Sequence, residues 1–155
     1  MNKLLLKLAV LLMAHLAAVS LMAAGNPASA SAKRAINPPG TAEGLPFSNG
    51  ILVGNTLYVA GQEGLANGKL VEGGIAAQTE AALTNIKKIV EAGGFRMADV
   101  VSVTVYMADL SEFGDMNKVY KTFFPEPRPA RATVQVAALV SNARIEISAI
   151  AVKSK

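Results

Sequence analysis

Three segments in the second half of the sequence alternate apolar and polar side chains with a period of two, and this pattern constrains the fold more than any other feature. They span residues 99–108, 130–139 and 144–151. Such alternation is typical of β-strands that bury one face, so it predicts three strands of one sheet. The predicted inner faces carry Val101, Val103, Val105 and Met107, then Ala132, Val134 and Val136, then Ile145, Ile147 and Ala149.

Two other segments have the 3.6-residue period of helices. Residues 75–92 carry an apolar stripe and end at Gly93-Gly94, which suits a helix stop. The same period over residues 111–124 predicts a second helix, with Ser111 as its N-cap and Pro125 after its end. Earlier, residues 51–53 and 57–59 are short apolar runs around a Gly-Asn turn, which predicts a hairpin. The order of elements predicts an α+β fold, in which both helices cover one face of a mixed sheet.

The other face of the predicted sheet is polar but mostly uncharged. It carries Ser102, Thr104, Tyr106, Arg131, Thr133, Gln135, Glu146 and Ser148. Such a face either meets water or is covered by other subunits. Because solvated faces usually carry more Lys and Glu, we expect burial against neighbouring subunits. Arg131 and Glu146 are then partly desolvated, and desolvated charges are commonly paired or functional.

The N-terminal segment has the three parts of a secretory signal peptide. Lys3 and Lys7 supply positive charge, residues 8–24 contain no charged side chain, and small residues follow. We expect cleavage after Ala30, with Ala32 as a second candidate. Residues 1–30 then form the signal peptide, and residues 31–155 form one domain that is exported, periplasmic or secreted. The alternative is a permanent membrane anchor, for which this Ala-rich run is short.

The side chains that the sequence lacks narrow the chemistry. It contains no cysteine, and its one histidine, His15, lies in the predicted signal peptide. The exported domain therefore has no thiol and no imidazole, which excludes cysteine nucleophiles, Ser-His-Asp triads and conventional zinc sites. It has no tryptophan and no basic stripe, so we expect no nucleic-acid surface. Its chemistry must use carboxylates, Arg, Lys, Tyr or hydroxyl groups.

Five motifs follow one another in an order that resembles the RidA/YjgF family over about residues 36–152. They are Gly54-Asn-Thr-Leu-Tyr-Val-Ala-Gly61-Gln62, Glu91-Ala-Gly-Gly94, Phe113-x-x-x-Asn117-x-x-Tyr120, Pro129-Ala-Arg131-Ala-Thr133-Val and Arg144-Ile-Glu146-Ile. The resemblance implies a chorismate-mutase-like subunit and a homotrimer with clefts between subunits. It also implies hydrolysis of enamines and imines, such as 2-aminoacrylate and related 2-imino acids, to 2-keto acids and ammonia, without cofactor or metal.

The resemblance also assigns chemical roles to three residues. Arg131 occupies the family's carboxylate-binding position, and a guanidinium suits this role because it offers two parallel donors to a planar carboxylate. Glu146 matches the glutamate that orients or deprotonates the attacking water. Thr133 follows Arg131 by two residues, so its hydroxyl faces the same cleft and can hold that water. Two alternatives remain: Arg131 forms an ion pair in the trimer interface, or Glu146 only partners an arginine.

Three further positions complete the predicted site. Gly61 lies where backbone groups line the cleft, and Asn117 matches a cleft position, unless it braces its own helix. Phe47 stands in a motif where well-characterised deaminases of the family carry Tyr, so it lacks a hydroxyl that can bond to water or substrate. Thr133 stands where many members carry Cys, and it keeps a polar group.

Two other functions compete with imine hydrolysis. The first is a non-catalytic trimer that binds small 2-keto or 2-imino carboxylates in the same cleft. Export favours this alternative, because the family's usual substrates arise in the cytoplasm and decay quickly in water. The second is RNA cleavage, an older label for the family, which ranks last because the sequence offers no histidine pair and no basic groove for it.

Overall fold

The computed structural model describes residues 32–154, and the predicted signal peptide lies outside them. Helices and strands follow in the order β1 (Arg34–Ile36), β2 (Gly50–Val53), β3 (Thr56–Glu63), β4 (Leu65–Ala66), β5 (Lys69–Leu70), α1 (Gly74–Ala92), β6 (Val100–Met107), α2 (Phe113–Phe123), β7 (Ala130–Gln135) and β8 (Ile145–Val152). No helix within residues 32–154 combines the length and the hydropathy that a membrane span needs.

Six of the strands form one mixed sheet in the order β1-β2-β3-β8-β6-β7, and β4 pairs with β5 in a separate small hairpin. Neighbours in the large sheet are antiparallel except β6 and β7, which are parallel. A parallel pair needs a crossover connection, and α2 provides it. Val53 pairs with Thr56 across the Gly54-Asn55 turn. The predicted α+β sheet and its first hairpin are confirmed.

Both helices pack on the same face of the sheet and enclose the hydrophobic core, as the sequence predicts. The helices contribute Ile75, Leu83, Ile86, Val90, Met116 and Tyr120, and the strands contribute Leu57, Val103, Val105, Ile145 and Ile147. The opposite face of the sheet has no covering layer within the described chain. We call it the open face.

Strand β7 turns its side chains the opposite way from the prediction. The parallel register pairs Val103 with Arg131 and Val105 with Thr133. Both valines are buried in the core. Residues paired on neighbouring strands point to the same side of a sheet. Arg131 and Thr133 therefore lie on the helix face.

The prediction that Arg131, Thr133 and Gln135 share the open face with Glu146 is wrong. Alternation separates the two faces of a strand, but it does not identify the buried one when the apolar set is as small as Ala132 and Val134. In addition, β7 is an edge strand, and burial of its apolar side chains determines its orientation less strongly than in a central strand. The remaining predicted open-face residues of β6 and β8 lie there, since Tyr106 pairs with Glu146.

A β-bulge at the start of β6 changes a second part of the prediction. Val100 pairs with Ala151 and Ser102 with Ile150, so Val101 is an extra residue without a partner. As a result, Val100 enters the core and Val101 is 46% exposed. The prediction of an inward-facing Val101 is wrong, because strict alternation cannot foresee an inserted residue.

The start of the second helix is also shifted. Asp109, and not Ser111, is the capping residue, and it caps the 3₁₀ turn before the helix: its Oδ1 accepts a hydrogen bond from the Ser111 backbone N–H at 2.8 Å. Glu112, directly before α2, makes no side-chain capping hydrogen bond. A 3₁₀ turn at Leu110–Glu112 follows, and α2 begins at Phe113. The sequence placed the helix correctly but missed the carboxylate two residues earlier, which is an equally good acceptor.

Gly64 allows the end of β3 to pack directly on α1. A Cβ at residue 64 would lie 2.5 Å from Cα and Cβ of Gln78. Gln78 is only 6% exposed, and its Oε1 accepts a hydrogen bond from the backbone N–H of Arg144 at 2.8 Å. One helix residue thus holds both the end of β3 and the start of β8.

We predict that Gly64→Ala lowers the free energy of unfolding by about 1–3 kcal/mol, because the added methyl group overlaps Gln78. Gly114→Ala is the matched control. A Cβ at residue 114 meets no atom within 4 Å. Residue 114 lies in the first turn of α2, so Ala there raises the free energy of unfolding by at most about 1 kcal/mol, since Ala favours helix over Gly. Urea denaturation measures both changes, and equal effects of the two substitutions would contradict the packing role of Gly64.

Candidate active site

The first group of predicted site residues surrounds Arg131 on the helix face of β7. Its guanidinium carbon lies 4.4 Å from the ring centroid of Tyr120 and 5.5 Å from that of Phe113, both in α2. These distances give cation–π contacts that hold the guanidinium plane. Within residues 32–154, Arg131 forms no ion pair with a carboxylate. An oriented guanidinium without an ionic partner is suited to bind an external carboxylate.

Tyr120 contributes a neutral hydroxyl beside this arginine. Burial raises the pKa of the Tyr120 phenol, and the positive charges of Arg131 and Arg128 oppose that shift. Because the net direction is upwards from 10.0, the phenol keeps its proton at neutral pH. It can therefore donate a hydrogen bond.

Thr133 and Asn117 belong to the same group. The Thr133 hydroxyl oxygen is buried and has no hydrogen-bond partner in the described part of the chain. Buried polar atoms are nearly always satisfied in native proteins, so such an atom commonly marks a place for water or ligand. Asn117 is half-buried. It lies four residues after Phe113 and three before Tyr120, which places it on the same side of α2.

The second group lies on the open face, where Glu146 extends over Gly61. A bulge in β3 between Val59 and Gln62 brings Gly61 beside β8. A Cβ at residue 61 would overlap the carboxylate of Glu146. The absence of a side chain at Gly61 is therefore what allows the Glu146 carboxylate to lie close to the β3 backbone.

The structure adds a residue to this group that the sequence analysis missed. Glu63 is the direct cross-strand partner of Glu146 in the β3–β8 register. Burial raises the pKa of the Glu63 carboxyl, the charge of Glu146 raises it further, and a hydrogen bond from the Ser141 hydroxyl acts in the opposite direction. In the sequence, Glu63 lies two residues after Gly61, which was the available signal for a site residue. Only the strand register shows that it lies opposite Glu146.

Phe47 belongs to neither group within one chain. It lies in the loop between β1 and β2 and is 55% exposed. This loop lines two grooves, one with the β4–β5 hairpin and α1 and one within the loop itself, and neither includes Arg131 or Glu146.

The predicted site is thus divided into two half-sites. Arg131, Thr133 and Asn117 form one on the helix face, and Glu146 and Gly61 form the other on the open face. Because the sheet separates the two faces, one chain does not bring Arg131 and Glu146 together. Residues 32–154 contain no group of three or more His, Cys, Asp and Glu side chains that could hold a metal ion.

Comparisons with a family model, with related proteins and with solved structures agree on the family of this chain. The family model of endoribonuclease L-PSP matches residues 39–153. The Bos taurus protein named 2-iminobutanoate/2-iminopropanoate deaminase is 47% identical over 110 residues, which cover 70% of this chain and 80% of the bovine protein.

Two solved structures from E. coli share the fold. The YjgF gene product has a TM-score of 0.71 and 37% identity, and the match covers 78% of this chain and 99% of the other. TdcF with bound serine has a TM-score of 0.68 and 35% identity, covering 78% of this chain and 94% of TdcF. The chain therefore belongs to the endoribonuclease L-PSP family, which is the RidA/YjgF family that its motifs resemble.

Proposed function

We propose that this protein hydrolyses 2-imino acids to 2-keto acids and ammonia at clefts between the subunits of a homotrimer. The observation that carries the proposal is the division of the site into two half-sites. The Arg131 half-site lies on the edge strand β7, and the Glu146 half-site lies on the open face. If the β7 edge of one subunit meets the open face of the next, both halves join in one cleft. Repetition of this head-to-tail contact closes a ring with a cleft at each interface.

Exposed apolar side chains support burial of the open face. Tyr58 is 50% exposed and Val134 is 43% exposed. Tyr58 pairs with Ile150, and Val134 pairs with Tyr106, which lies on the open face. Their strands are separated by β8 and β6, so exposed apolar side chains stand at both sides of the open face. Large exposed apolar side chains on one face favour a contact with another protein chain.

The Arg131 half-site supplies the binding step. A 2-imino acid carries a planar carboxylate next to an electrophilic carbon. Arg131 donates two parallel hydrogen bonds to that carboxylate, and the rings of Tyr120 and Phe113 keep the guanidinium in place. This fixes the imine carbon at a constant distance from the neighbouring subunit's open face.

Glu146 supplies the proton transfers. The Thr133 hydroxyl holds a water, whose oxygen bonds to the imine carbon while the C=N electron pair moves to nitrogen. Glu146 accepts a proton from that water and returns it to the nitrogen. The C–N bond then breaks: its electron pair goes to the nitrogen, which takes the proton of the new hydroxyl, and the hydroxyl oxygen forms the carbonyl. One water is consumed, the products are the 2-keto acid and ammonia, and Glu146 ends ionised as it began.

A carboxylate-binding protein without catalysis is the second candidate. Phe47 favours it, because this ring carries no hydroxyl for water or substrate. We also propose that the protein is exported, since Lys3, Lys7 and the uncharged run after them have the order of a signal peptide. Export and catalysis are independent proposals.

We predict that Arg131→Ala weakens pyruvate binding about tenfold to a hundredfold, because a charge-assisted bidentate contact is lost. Arg131→Lys keeps the charge but not the planar pair of donors, so its loss is intermediate. Calorimetric titration measures both, with Arg34→Ala on β1 as a control that leaves binding unchanged. Unchanged binding in Arg131→Ala removes Arg131 from the site. Loss of assembly in its place would favour an interface ion pair.

We predict that residues 31–155 sediment as a trimer at micromolar concentration and that Val134→Asp dissociates it. The new charge lies on the open face and loses its hydration in the interface. Ala76→Asp, on the exposed side of α1, adds the same charge and leaves the trimer intact. A wild-type monomer in sedimentation velocity would refute the shared cleft.

We predict that Glu146→Gln keeps pyruvate binding but lowers imine hydrolysis by about a hundredfold or more, the usual scale of general acid–base catalysis. Phe47→Tyr raises the rate by restoring a hydroxyl. The assay supplies freshly made 2-imino acids and follows their loss above the uncatalysed rate. If wild-type protein binds pyruvate without accelerating hydrolysis, and neither substitution changes this, the protein is the binding module.

A further inference from the structure

Glu63 lies next to the proposed catalytic residue Glu146, and none of the proposed steps of imine hydrolysis uses it. The two residues are direct partners across β3 and β8 on the open face. Directly opposed side chains on neighbouring strands have Cβ atoms about 4.5–5.5 Å apart. Both side chains are half-buried, and Oε1 of Glu63 is buried without a hydrogen-bond partner among residues 32–154. Two carboxylates this close oppose each other's ionisation.

Within residues 32–154, no cation forms an ion pair with either carboxylate of the pair. Strand β8 contributes Glu146, and β6 contributes Tyr106, the cross-strand partner of Glu146 on its other side. The 3₁₀ turn Val140–Asn142 contributes the Ser141 hydroxyl, and α1 contributes the neutral Gln78 behind Gly64. Arg144, two residues before Glu146, donates to Glu112 at 2.7 Å. In the described part of the chain, neither Glu63 nor Glu146 forms an ion pair.

The turn that carries Ser141 is held in an uncommon conformation. Ser141 and Asn142 both adopt left-handed backbone angles, with φ of 56° and 55°. Residues other than glycine rarely adopt these backbone angles, and two such residues in succession are rarer. The Ser141 hydroxyl lies close enough to the Glu63 carboxylate to lower its pKa. The carboxylate therefore lies between strand β8 and this turn.

We infer that Glu63 and Glu146 act as one carboxylate pair that holds a single proton while substrate is bound, with the proton on Glu63 and the charge on Glu146. This inference rests on the proposed function, since it concerns the site of imine hydrolysis. Glu63 is then a positioning residue: it keeps Glu146 ionised, and therefore able to accept a proton from water, without contacting the substrate itself.

The charges in the proposed cleft support a single proton on the pair. A protonated 2-imino acid carries one positive and one negative charge, and Arg131 of the neighbouring subunit adds one positive charge. Arg128, near Tyr120, forms an ion pair with Glu126 and adds no net charge. Two ionised glutamates would leave the cleft negative, whereas one proton on the pair makes it neutral. A 2-keto acid has no positive charge, so its binding favours protonation of Glu63 more strongly. Binding of pyruvate therefore takes up a proton from solution.

Calorimetry of pyruvate binding in two buffers with different ionisation enthalpies measures this proton. Free Glu63 ionises as the pH rises through a pKa above 4.5. Above that pH the wild-type protein takes up as much as one proton per site, and below it the uptake falls towards zero. Glu63→Gln carries a permanent neutral amide, so it binds pyruvate at least as tightly with no uptake. Glu72→Gln, at an exposed position before α1, keeps the wild-type uptake.

The pH dependence of imine hydrolysis provides the second measurement. In the wild type, kcat/KM falls about tenfold for each unit of pH above the pKa of free Glu63, because one proton must be regained on binding. In Glu63→Gln, kcat/KM stays level over that range. If Glu63 has only a structural role, Glu63→Gln lowers kcat/KM by the same factor at all pH values.

The outcomes separate this inference from the proposed function. Equal proton uptake in wild type and Glu63→Gln, or identical pH profiles, overturns the carboxylate pair and leaves the deaminase proposal intact. Binding of pyruvate with Glu63-dependent uptake but no imine hydrolysis refutes the deaminase and upholds the pair. If wild-type protein does not bind pyruvate at millimolar concentration, both proposals fail.

Discussion

A β-sheet has two faces, and residues 32–154 supply helices for only one of them. That constraint determines much of the rest of the structure. The helix face takes the core, with Leu57, Val105 and Ile147 beneath α1 and α2. The open face keeps large apolar side chains exposed, Tyr58 among them. Arg131 pairs with the inward-facing Val103, and Glu146 pairs with Tyr106 on the open face, so the two groups of site residues lie on different sides of the same sheet. A single chain therefore has each half of the chemistry and not the whole.

Glycines set the geometry of the open-face half-site as much as charged residues do. Gly61 leaves the space that the Glu146 carboxylate occupies, and Gly64 lets the end of β3 rest on Gln78. Glu63 lies between these two glycines in the chain, so the packing of the backbone before and after it fixes its position. The closeness of Glu63 and Glu146 is thus a product of backbone packing. Neither carboxylate needs an attractive partner to remain beside the other, and this is how a protein can maintain two mutually repelling groups in one place.

The sequence predicted the larger features of the fold well and the finer geometry of the site less well. Both helices, the Gly54-Asn55 hairpin and the three late strands follow from periodicity, because burial of many apolar residues enforces it. Edge strand β7 buries few residues, so its pattern did not reveal which side Arg131 takes. The bulge at Val101 depends on pairing with another strand, which local pattern does not contain. Glu63 was missed for the same reason: its significance comes from the residue opposite to it.

The division of the site also has a genetic consequence. In the proposed ring, each cleft takes its arginine from one subunit and its glutamate from the next. Consider a mixed ring in which some subunits lack Arg131 and the others lack Glu146. Going once around three subunits of both kinds, one cleft always receives its arginine from a Glu146-deficient subunit and its glutamate from an Arg131-deficient one. That cleft is complete. On this proposal, two inactive alleles of this gene, expressed together, complement each other.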